Sequence, residues 1–315
     1  MRKTILGLFL VFAIIVTASE YFFGMGFQGM VYVRVMEKEF QVGLIQVSSL
    51  SSGGIDSGGL IFNVLRDRGF AVISRASLTQ VNLVETFHCE AIEVNPERGE
   101  VFVADGTNGV KIFRFFGPNF YRQIQTLQIK GWTNSLAYRD GFLLVGTEID
   151  GIFVFAREAD GFQSIQRLYP SGIDKLEGVV TVHSIAATPE RFYVAAGRQG
   201  VIALEVVEGL LEEIEIIPSK YALDVDISGN TMVVAEPVDN RITLYDTRSL
   251  ERIGSIELGI QPIEVMITRD WDDNKDYVIC RFGDGVSIFE TDTFQELFSL
   301  KGAFFGIVKP VYGVD

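Results

Sequence analysis

The stretch VFVADGTNGVKIF, residues 101–113, consists of two short apolar segments joined by a polar turn that closes on glycine. A tight turn between two strands needs a residue such as Gly109, because glycine tolerates positive φ at little cost. The same pattern returns along the chain, each time with glycine or asparagine opening the second segment. These residues are Gly69, Gly109, Gly151, Gly200, Asn240 and Gly285. The sequence therefore predicts six hairpins of one kind, at intervals of 40, 42, 49, 40 and 45 residues.

Two further strand-like segments lie between consecutive hairpins. An alternating segment such as LERIGSIELG (250–259) follows the hairpin, and a short apolar segment such as LDVDIS (223–228) precedes the next one. The segment GLLEEIEII (209–217) has some helical character but lies where an outer strand belongs. Four short strands in a repeat of this length are typical of a propeller blade, whose two apolar faces are buried only against neighbouring blades. We therefore predict an all-β protein with a β-propeller fold.

The two ends of the chain predict how the ring closes. QVGLIQV (41–47) is interpreted as the first inner strand, after the strand-like VYVRVMEKEF (31–40). AFFGIVKP (303–310) is interpreted as the last inner strand, and VYGVD (311–315) as part of a second strand. If both ends share one blade, hydrogen bonds between them remove the last exposed sheet edges. Six full repeats plus this shared blade predict a seven-bladed ring; the alternative is a six-bladed ring with the terminal strands outside it.

The amino terminus is typical of an export signal. A basic start is followed by an apolar stretch over residues 4–17 and by small residues up to Ala18, the pattern of a cleaved secretory signal peptide. An uncleaved anchor is the alternative, because Tyr21 and the two phenylalanines after it resume the apolar character. We expect an exported protein, periplasmic, at the cell surface or secreted. The predicted parts are a signal peptide over 1–18, a short linker over 19–30 and a single propeller domain over 31–315.

The chain is strongly acidic, with a formal net charge of −14. Such a surface repels the phosphates of nucleic acids and the head groups of anionic lipids. We therefore expect no nucleic acid partner and no membrane contact after signal cleavage. The expected state is a monomer.

The chain has only two cysteines, Cys89 and Cys280, and both stand beside apolar strand-like residues. Two separate buried thiols are expected from this setting. One long-range disulfide is the alternative in an exported protein.

The opening stretch and its copies resemble repeats of the LVIVD and YVTN families of propeller proteins. The endings ITLYDT (242–247) and SIFETDT (287–293) are similar to the YVTN type, in which an acidic residue and threonine follow the second hairpin strand. Copies two to four depart from this ending, for example with Leu204-Glu205-Val206. The resemblance implies an exported or cell-surface propeller and a fold held in common with lactonases.

Polar residues recur near the start of the short apolar segments that are predicted to line a central channel. Alignment of these segments puts three of the residues in one register and two others one position later. Carboxylate, amide and imidazole groups are suitable ligands for a cation or a small molecule. They are equally suited to a water-filled channel in which each is simply solvated, and we favour that interpretation. The candidates are Glu90, Asn134, His183, Asp224 and Glu264.

A second acidic segment, DWDDNKD (270–276), alternates in the manner of a calcium-binding loop. Its candidate ligands are Asp270, Asp272, Asn274 and Asp276. Lys275 stands where the motif needs glycine, and Arg281 where it needs glutamate, so an ordinary acidic surface turn is the favoured interpretation. No cofactor is expected, and calcium is the one candidate ion.

The hairpin turns carry mixed charges at the tips of a rigid scaffold, a setting suited to recognition. We therefore expect a non-catalytic exported propeller that acts as a binding or protein-protein interaction scaffold. Its expected partner is a protein or another macromolecule of the cell surface. The alternative is a metal-assisted hydrolase of the lactonase kind, which requires the five channel residues to converge on one metal.

Overall fold

Strands make up almost all of the regular structure in this computed structural model, which describes residues 19–27, 29–36, 39–169, 181–269 and 275–311. Within those residues there are 28 β-strands and a single short 3-10 helix, Pro237–Asp239. The all-β prediction is confirmed. The predicted signal peptide, 1–18, lies outside the described residues. In the described part of the chain, no helix has the length and apolar character that crossing a membrane requires.

Twenty of the described strands form five separate four-stranded antiparallel sheets. The first three sheets hold β8 (Ala91–Asn95), β9 (Glu100–Ala104), β10 (Val110–Gly117) and β11 (Phe120–Leu127); β12 (Thr133–Arg139), β13 (Phe142–Thr147), β14 (Ile152–Glu158) and β15 (Gly161–Leu168); and β16 (Ser184–Ala187), β17 (Arg191–Ala195), β18 (Val201–Val207) and β19 (Leu210–Ile217). The other two hold β20 (Asp224–Ser228), β21 (Thr231–Glu236), β22 (Arg241–Asp246) and β23 (Arg252–Glu257); and β24 (Glu264–Arg269), β25 (Asp276–Arg281), β26 (Gly285–Glu290) and β27 (Glu296–Lys301).

An eight-stranded sheet joins the two ends of the chain. Its strands, in spatial order, are β3 (Glu39–Ile45), β2 (Met30–Met36), β1 (Ser19–Gly24), β28 (Gly306–Pro310), β4 (Gly54–Ser57), β5 (Leu60–Val64), β6 (Phe70–Ser74) and β7 (Thr79–Val84). β28 pairs antiparallel with β1 and parallel with β4. A division at the parallel pair leaves seven groups of four among the described strands, the arrangement that a seven-bladed ring requires. The blade number itself stays a prediction.

The innermost strands of these groups follow one another around a closed ring. Each contacts the next in the order β4, β8, β12, β16, β20, β24 and β28, and β28 returns to β4. The apolar core lies between neighbouring groups; in one cluster, for example, Leu144 and Val154 of one sheet pack with Val194 and Ile202 of the next. Each sheet therefore buries its faces against its neighbours, as the repeat pattern predicts.

Each predicted hairpin forms, and its turn chemistry is as expected at five of the six positions. Gly69, Gly109, Gly151, Gly200 and Asn240 have φ values of 86°, 75°, 79°, 87° and 49°. Gly285 is the exception, since its φ is not in the left-handed region. A Cβ at Gly285 would lie 2.8 Å from the Leu300 carbonyl oxygen, so close backbone approach is what requires glycine there.

The hairpin turns and the starts of the inner strands lie at the same end of the ring. Backbone bridges join the turn of one group to the start of the next inner strand or to the segment just before it. They pair Gly26 with Ser51, Arg66 with Cys89, Gly106 with Thr133 and Gly197 with Ala222. We call this end the turn face. The opposite end carries the other connections within each antiparallel group.

Two predictions about the amino-terminal region are wrong. The segment predicted as a linker, 19–30, contains β1, which pairs along its whole length with β2 and buries Phe22 and Phe23. QVGLIQV (41–47) is not an inner strand, because most of it forms β3, the outermost strand of its sheet. The first inner strand is β4, Gly54–Ser57. β4 contains glycine and aspartate, so a search for apolar segments does not reveal it.

Cys89 and Cys280 are both free and buried. The prediction of two separate buried thiols is therefore confirmed. Burial raises the pKa of each thiol above its ordinary value, so neither is a reactive nucleophile at neutral pH.

Candidate functional site

The five residues predicted for the channel line one central cavity among the inner strands. The cavity has a volume of about 770 Å³. Each of the five lies within one residue of the start of an inner strand, and therefore toward the turn face. The residues are Glu90, Asn134, His183, Asp224 and Glu264.

Glu90 is held by three side chains at the mouth of the cavity. Its Oε1 accepts a hydrogen bond from Trp132 Nε1 at 3.1 Å and lies 3.0 Å from His88 Nε2. Its Oε2 pairs with Arg66. His88 Nδ1 lies 2.6 Å from Asp67 Oδ1, so each ring nitrogen of His88 lies beside a carboxylate oxygen. Both oxygens of Glu90 are therefore already engaged.

Arg66 has an unusual backbone for its residue type. Its φ is 50°, and the equivalent bridging positions Gly26, Gly106 and Gly197 have φ values of 60°, 57° and 59°. A left-handed conformation costs an ordinary residue about 1–2 kcal/mol. Because the side chain of Arg66 reaches into the cavity mouth and holds Glu90, the ion pair accounts for an arginine at a position where other groups have glycine.

Asn134 and His183 also have partners from other strands. Asn134 Nδ2 donates a hydrogen bond to the Val182 carbonyl at 2.9 Å. The Tyr221 hydroxyl lies 2.9 Å from His183 Nε2. Burial lowers the pKa of His183, with Asp224 acting against this, so the ring is neutral at pH 7.

Asp224 and Glu264 bind the backbone of the next inner strand. Asp224 Oδ2 accepts a hydrogen bond from the Val265 N–H at 2.9 Å, and Glu264 Oε1 accepts one from the Ile307 N–H at 3.1 Å. The other oxygen of Glu264 lies 2.9 Å from Arg281 Nε. An innermost strand has a free edge with unpaired N–H groups. These two carboxylates, which belong to the neighbouring group of strands, accept hydrogen bonds from N–H groups on that edge.

Two further acids, absent from the sequence-based set, repeat this bond deeper in the channel. Asp226 Oδ2 accepts from the Ile267 N–H at 2.9 Å. Glu93 accepts hydrogen bonds from the N–H groups of Val94, at 2.8 Å, and of Tyr138 on the next inner strand. We call the four acids Glu93, Asp224, Asp226 and Glu264 the edge clamps. Alternation of acidic and apolar residues, as in LDVDIS, is the one sequence signal that could have revealed the deeper pair.

Lys309 on β28 supplies a positive charge among the edge clamps. Its Nζ lies 3.4 Å from Asp224 Oδ2 and 3.9 Å from Asp226 Oδ1. Burial acts to lower the pKa of Lys309, but Asp224, Asp226 and Glu264 outweigh it, so the pKa is raised. Burial raises the pKa of Glu93 to about 7 and that of Asp226 to about 6, against the opposing effect of Lys309.

The described lining of the cavity contains equal numbers of acidic and basic side chains. Its lining contains the acids Glu90, Glu93, Asp224, Asp226 and Glu264 and the bases Arg66, Arg139, Arg269, Arg281 and Lys309. Within the residues that the structure describes, no three histidine, cysteine or carboxylate side chains come together as a set for a metal ion. The described channel carboxylates are directed at backbone N–H groups and at cations, so the arrangement joins neighbouring groups of strands.

The candidate calcium segment is described only at its end. Asp270, Asp272 and Asn274 lie outside the described residues. Asp276 opens β25 and stands opposite Arg269 of β24. Calcium binding by this segment stays a prediction.

The turn face carries large apolar side chains that are exposed. They come from turns and connections all around the ring: Phe27, Phe87, Ile149, Tyr169, Val238, Ile260 and Phe305. Phe305 lines the cavity mouth and packs beside Gly26. On the same rim the rings of His88 and Trp132 lie 5.1 Å apart. Sequence reasoning noted the charges of these loops and missed their apolar tips.

The chain matches no protein-family model, and comparison with curated sequences finds no match. Solved structures do match. A putative 6-phosphogluconolactonase from Bacteroides fragilis superposes with a TM-score of 0.70 at 15% identity, over 92% of this chain and 97% of that one. The WD40 repeats of RRP9 give 0.67 at 12% identity, over 90% and 88%. Apo AztD from Citrobacter koseri gives 0.64 at 12%, over 93% and 98%. At these identities the likeness is one of fold: the chain is a β-propeller.

Proposed function

We propose that this protein is an exported, non-catalytic β-propeller that binds a partner protein with its turn face. One observation carries the proposal: among the residues that the structure describes, seven large apolar side chains are exposed on the connections at that end. Exposed apolar groups on loops held by a rigid scaffold are suited to docking another protein. Phe305, which lines the cavity mouth, and Trp132, which bonds to Glu90 there, are the centre of the proposed surface, because aromatic residues are enriched among the residues that dominate the energetics of protein interfaces.

The hydrogen bonds in the channel favour a scaffold function over the alternative function, that of a metal-assisted lactonase-like hydrolase. Such a hydrolase needs carboxylates that are free to hold a metal. Asp224 and Glu264 instead accept backbone hydrogen bonds from the next inner strand. Glu90 is engaged by Arg66, His88 and Trp132. Their use as metal ligands would compete with these backbone hydrogen bonds and with the ion pair between Glu90 and Arg66.

Site-specific photocrosslinking in intact cells tests the proposal. A photoreactive phenylalanine analogue replaces Phe87 or Phe305 on the turn face. The matched controls are Phe116 and Phe120 at the opposite end, which are 60% and 69% exposed. We expect adducts of one discrete mass from the turn-face positions and none from the controls. Adducts of the same mass from both ends, or none from the turn face, contradict the proposal.

Two further measurements test the proposed export and the proposed lack of catalysis. Amino-terminal sequencing of the protein recovered outside the cytoplasm should begin near Ser19 if export removes the predicted signal. Lactone hydrolysis by the purified protein, with and without added divalent metal, should stay at background. A metal-dependent activity that the Glu264→Gln variant loses would establish the hydrolase instead.

A further inference from the structure

β3 is an outermost strand with a free hydrogen-bonding edge and an apolar surface. It pairs with β2 along one side, and among the described strands nothing pairs with its other side. Val42 is 50% exposed and Leu44 is 67% exposed, and they lie on the same face, since their β2 partners are Val33 and Val31. Free strand edges of this kind are templates for pairing with another chain.

Other outermost strands of the described residues carry charge, which protects an edge from pairing. The charged residues are Arg122 on β11, Arg167 on β15, Glu212, Glu213 and Glu215 on β19, Arg252 and Glu257 on β23, and Glu296 and Lys301 on β27. β7 has none, but its Gln80 and Asn82 hydrogen bond to Ser48 and to the Pro118 carbonyl. β3 has one charged residue, Glu39, at its first position. From Phe40 onward it is uncharged, and it combines this uncharged stretch with the exposed apolar side chains of Val42 and Leu44.

The occupant that fits this edge is a second copy of the same chain. Residues 40–55 contain no charged residue, although the chain has a formal net charge of −14. Two such acidic molecules repel one another, so their closest approach must be an uncharged strip. β3 also has the symmetry that self-pairing needs. With a two-fold axis at Gly43, Val42 of one copy lies opposite Leu44 of the other. This holds whether the two Gly43 residues form a hydrogen-bonded or a non-hydrogen-bonded pair.

We propose that two copies associate through antiparallel pairing of β3 with β3, centred on Gly43. The pairing extends the eight-stranded sheet across both copies and covers Val42 and Leu44 of each. Tyr32 lies against Gly43 on the other face of the sheet, so the two glycines meet beneath tyrosine rings. The contact is small, so the dimer is weak and reversible, with a dissociation constant of about 10–100 μM. It differs from the monomer expected from the sequence.

Sedimentation equilibrium of the full exported chain measures this association. We expect a dimer that grows with concentration and with ionic strength, because salt screens the repulsion and leaves the uncharged contact intact. Leu44→Lys should weaken association at least about tenfold, as it places two ammonium groups in the contact. Ile253→Lys is the matched control on β23, another outermost strand, where Ile253 is 55% exposed; it should leave association unchanged.

Disulfide trapping tests the register even if the lysine variant folds poorly. Val42→Cys and Leu44→Cys proteins, mixed and oxidised, should form a crosslinked dimer faster than either protein alone. The native Cys89 and Cys280 are buried and do not compete. A wild-type chain that stays monomeric at all concentrations and salt levels overturns the proposal, as does a dimer that Leu44→Lys leaves intact. Neither outcome bears on turn-face binding, which photocrosslinking tests separately.

Discussion

The stability of this propeller should depend on the protonation of Glu93 inside the channel. Glu93 is largely buried, and burial raises its pKa to about 7 from an ordinary 4.5. The native state therefore binds the proton more tightly than the unfolded state. It follows that Glu93 disfavours folding most above pH 7. As the pH falls from 7 toward 4.5, this unfavourable contribution disappears and the free energy of unfolding increases.

The size of this effect follows from the shift. A difference of one pKa unit corresponds to about 1.4 kcal/mol. The rise in the pKa of Glu93 from 4.5 to about 7 therefore sets an upper limit of about 3 to 4 kcal/mol on its effect. Glu93 is not completely buried, so solvent screening reduces the effect, and we expect about 1–2 kcal/mol. Glu93→Gln removes the charge and keeps an oxygen that can accept from the Val94 and Tyr138 N–H groups. The variant should be more stable than the wild type by this amount at pH 8.

Thermal unfolding or urea denaturation from pH 5 to 8 measures the effect. The stability difference between variant and wild type should be largest at pH 8 and should shrink through the window between pH 7 and pH 5. Glu212→Gln, at an exposed position of β19, controls for the loss of one surface charge and should show no such dependence. A Glu93→Gln protein that is less stable than the wild type at pH 8, or a difference that does not vary with pH, would refute the reasoning.

Two other substitutions test the packing of neighbouring groups and the repeated turn. Glu100 is fully buried and pairs with Arg114 at 2.6 Å and with Arg157 of the next sheet, so Glu100→Gln should lower the free energy of unfolding by about 2–4 kcal/mol in urea; a loss below about 1 kcal/mol would mean that the pairs contribute as surface pairs do. Gly109→Ala should cost about 2–3 kcal/mol, because φ is 75° and the new Cβ would meet a carbonyl oxygen. Its control is Gly117→Ala, where nothing lies near the added Cβ, with an expected change within about 0.5 kcal/mol; equal losses at both positions would contradict the turn argument.

The repeated hairpin is the part of the fold that could be predicted most fully. A strand, a turn residue of positive φ and a second strand are local features, and residues such as Gly109 and Asn240 report them directly. The amino-terminal strands could not be assigned in the same way. β1 continues the apolar character of the segment before it, and β4 is too short and polar to show a period. Their places depend on pairing with β28, more than 200 residues away in sequence.

The site shows a similar division. Sequence alignment of the inner strands was enough to bring Glu90, Asn134, His183, Asp224 and Glu264 to one cavity. It did not show what these side chains do there. Asp224 bonds to the backbone 41 residues later, and Glu264 to the backbone 43 residues later. Both separations equal about one repeat, because neighbouring inner strands come from consecutive copies.

The sequence by itself determined the repeating unit of this protein, since turn chemistry and alternation act over a few residues. Only the tertiary structure decided which channel carboxylates are bound by a neighbouring strand, which loop tips are exposed together and which outermost strand, among the described residues, exposes apolar side chains along an uncharged stretch. Those properties arise where residues from different repeats meet around the ring, and each is set by the packing of one group of strands against the next.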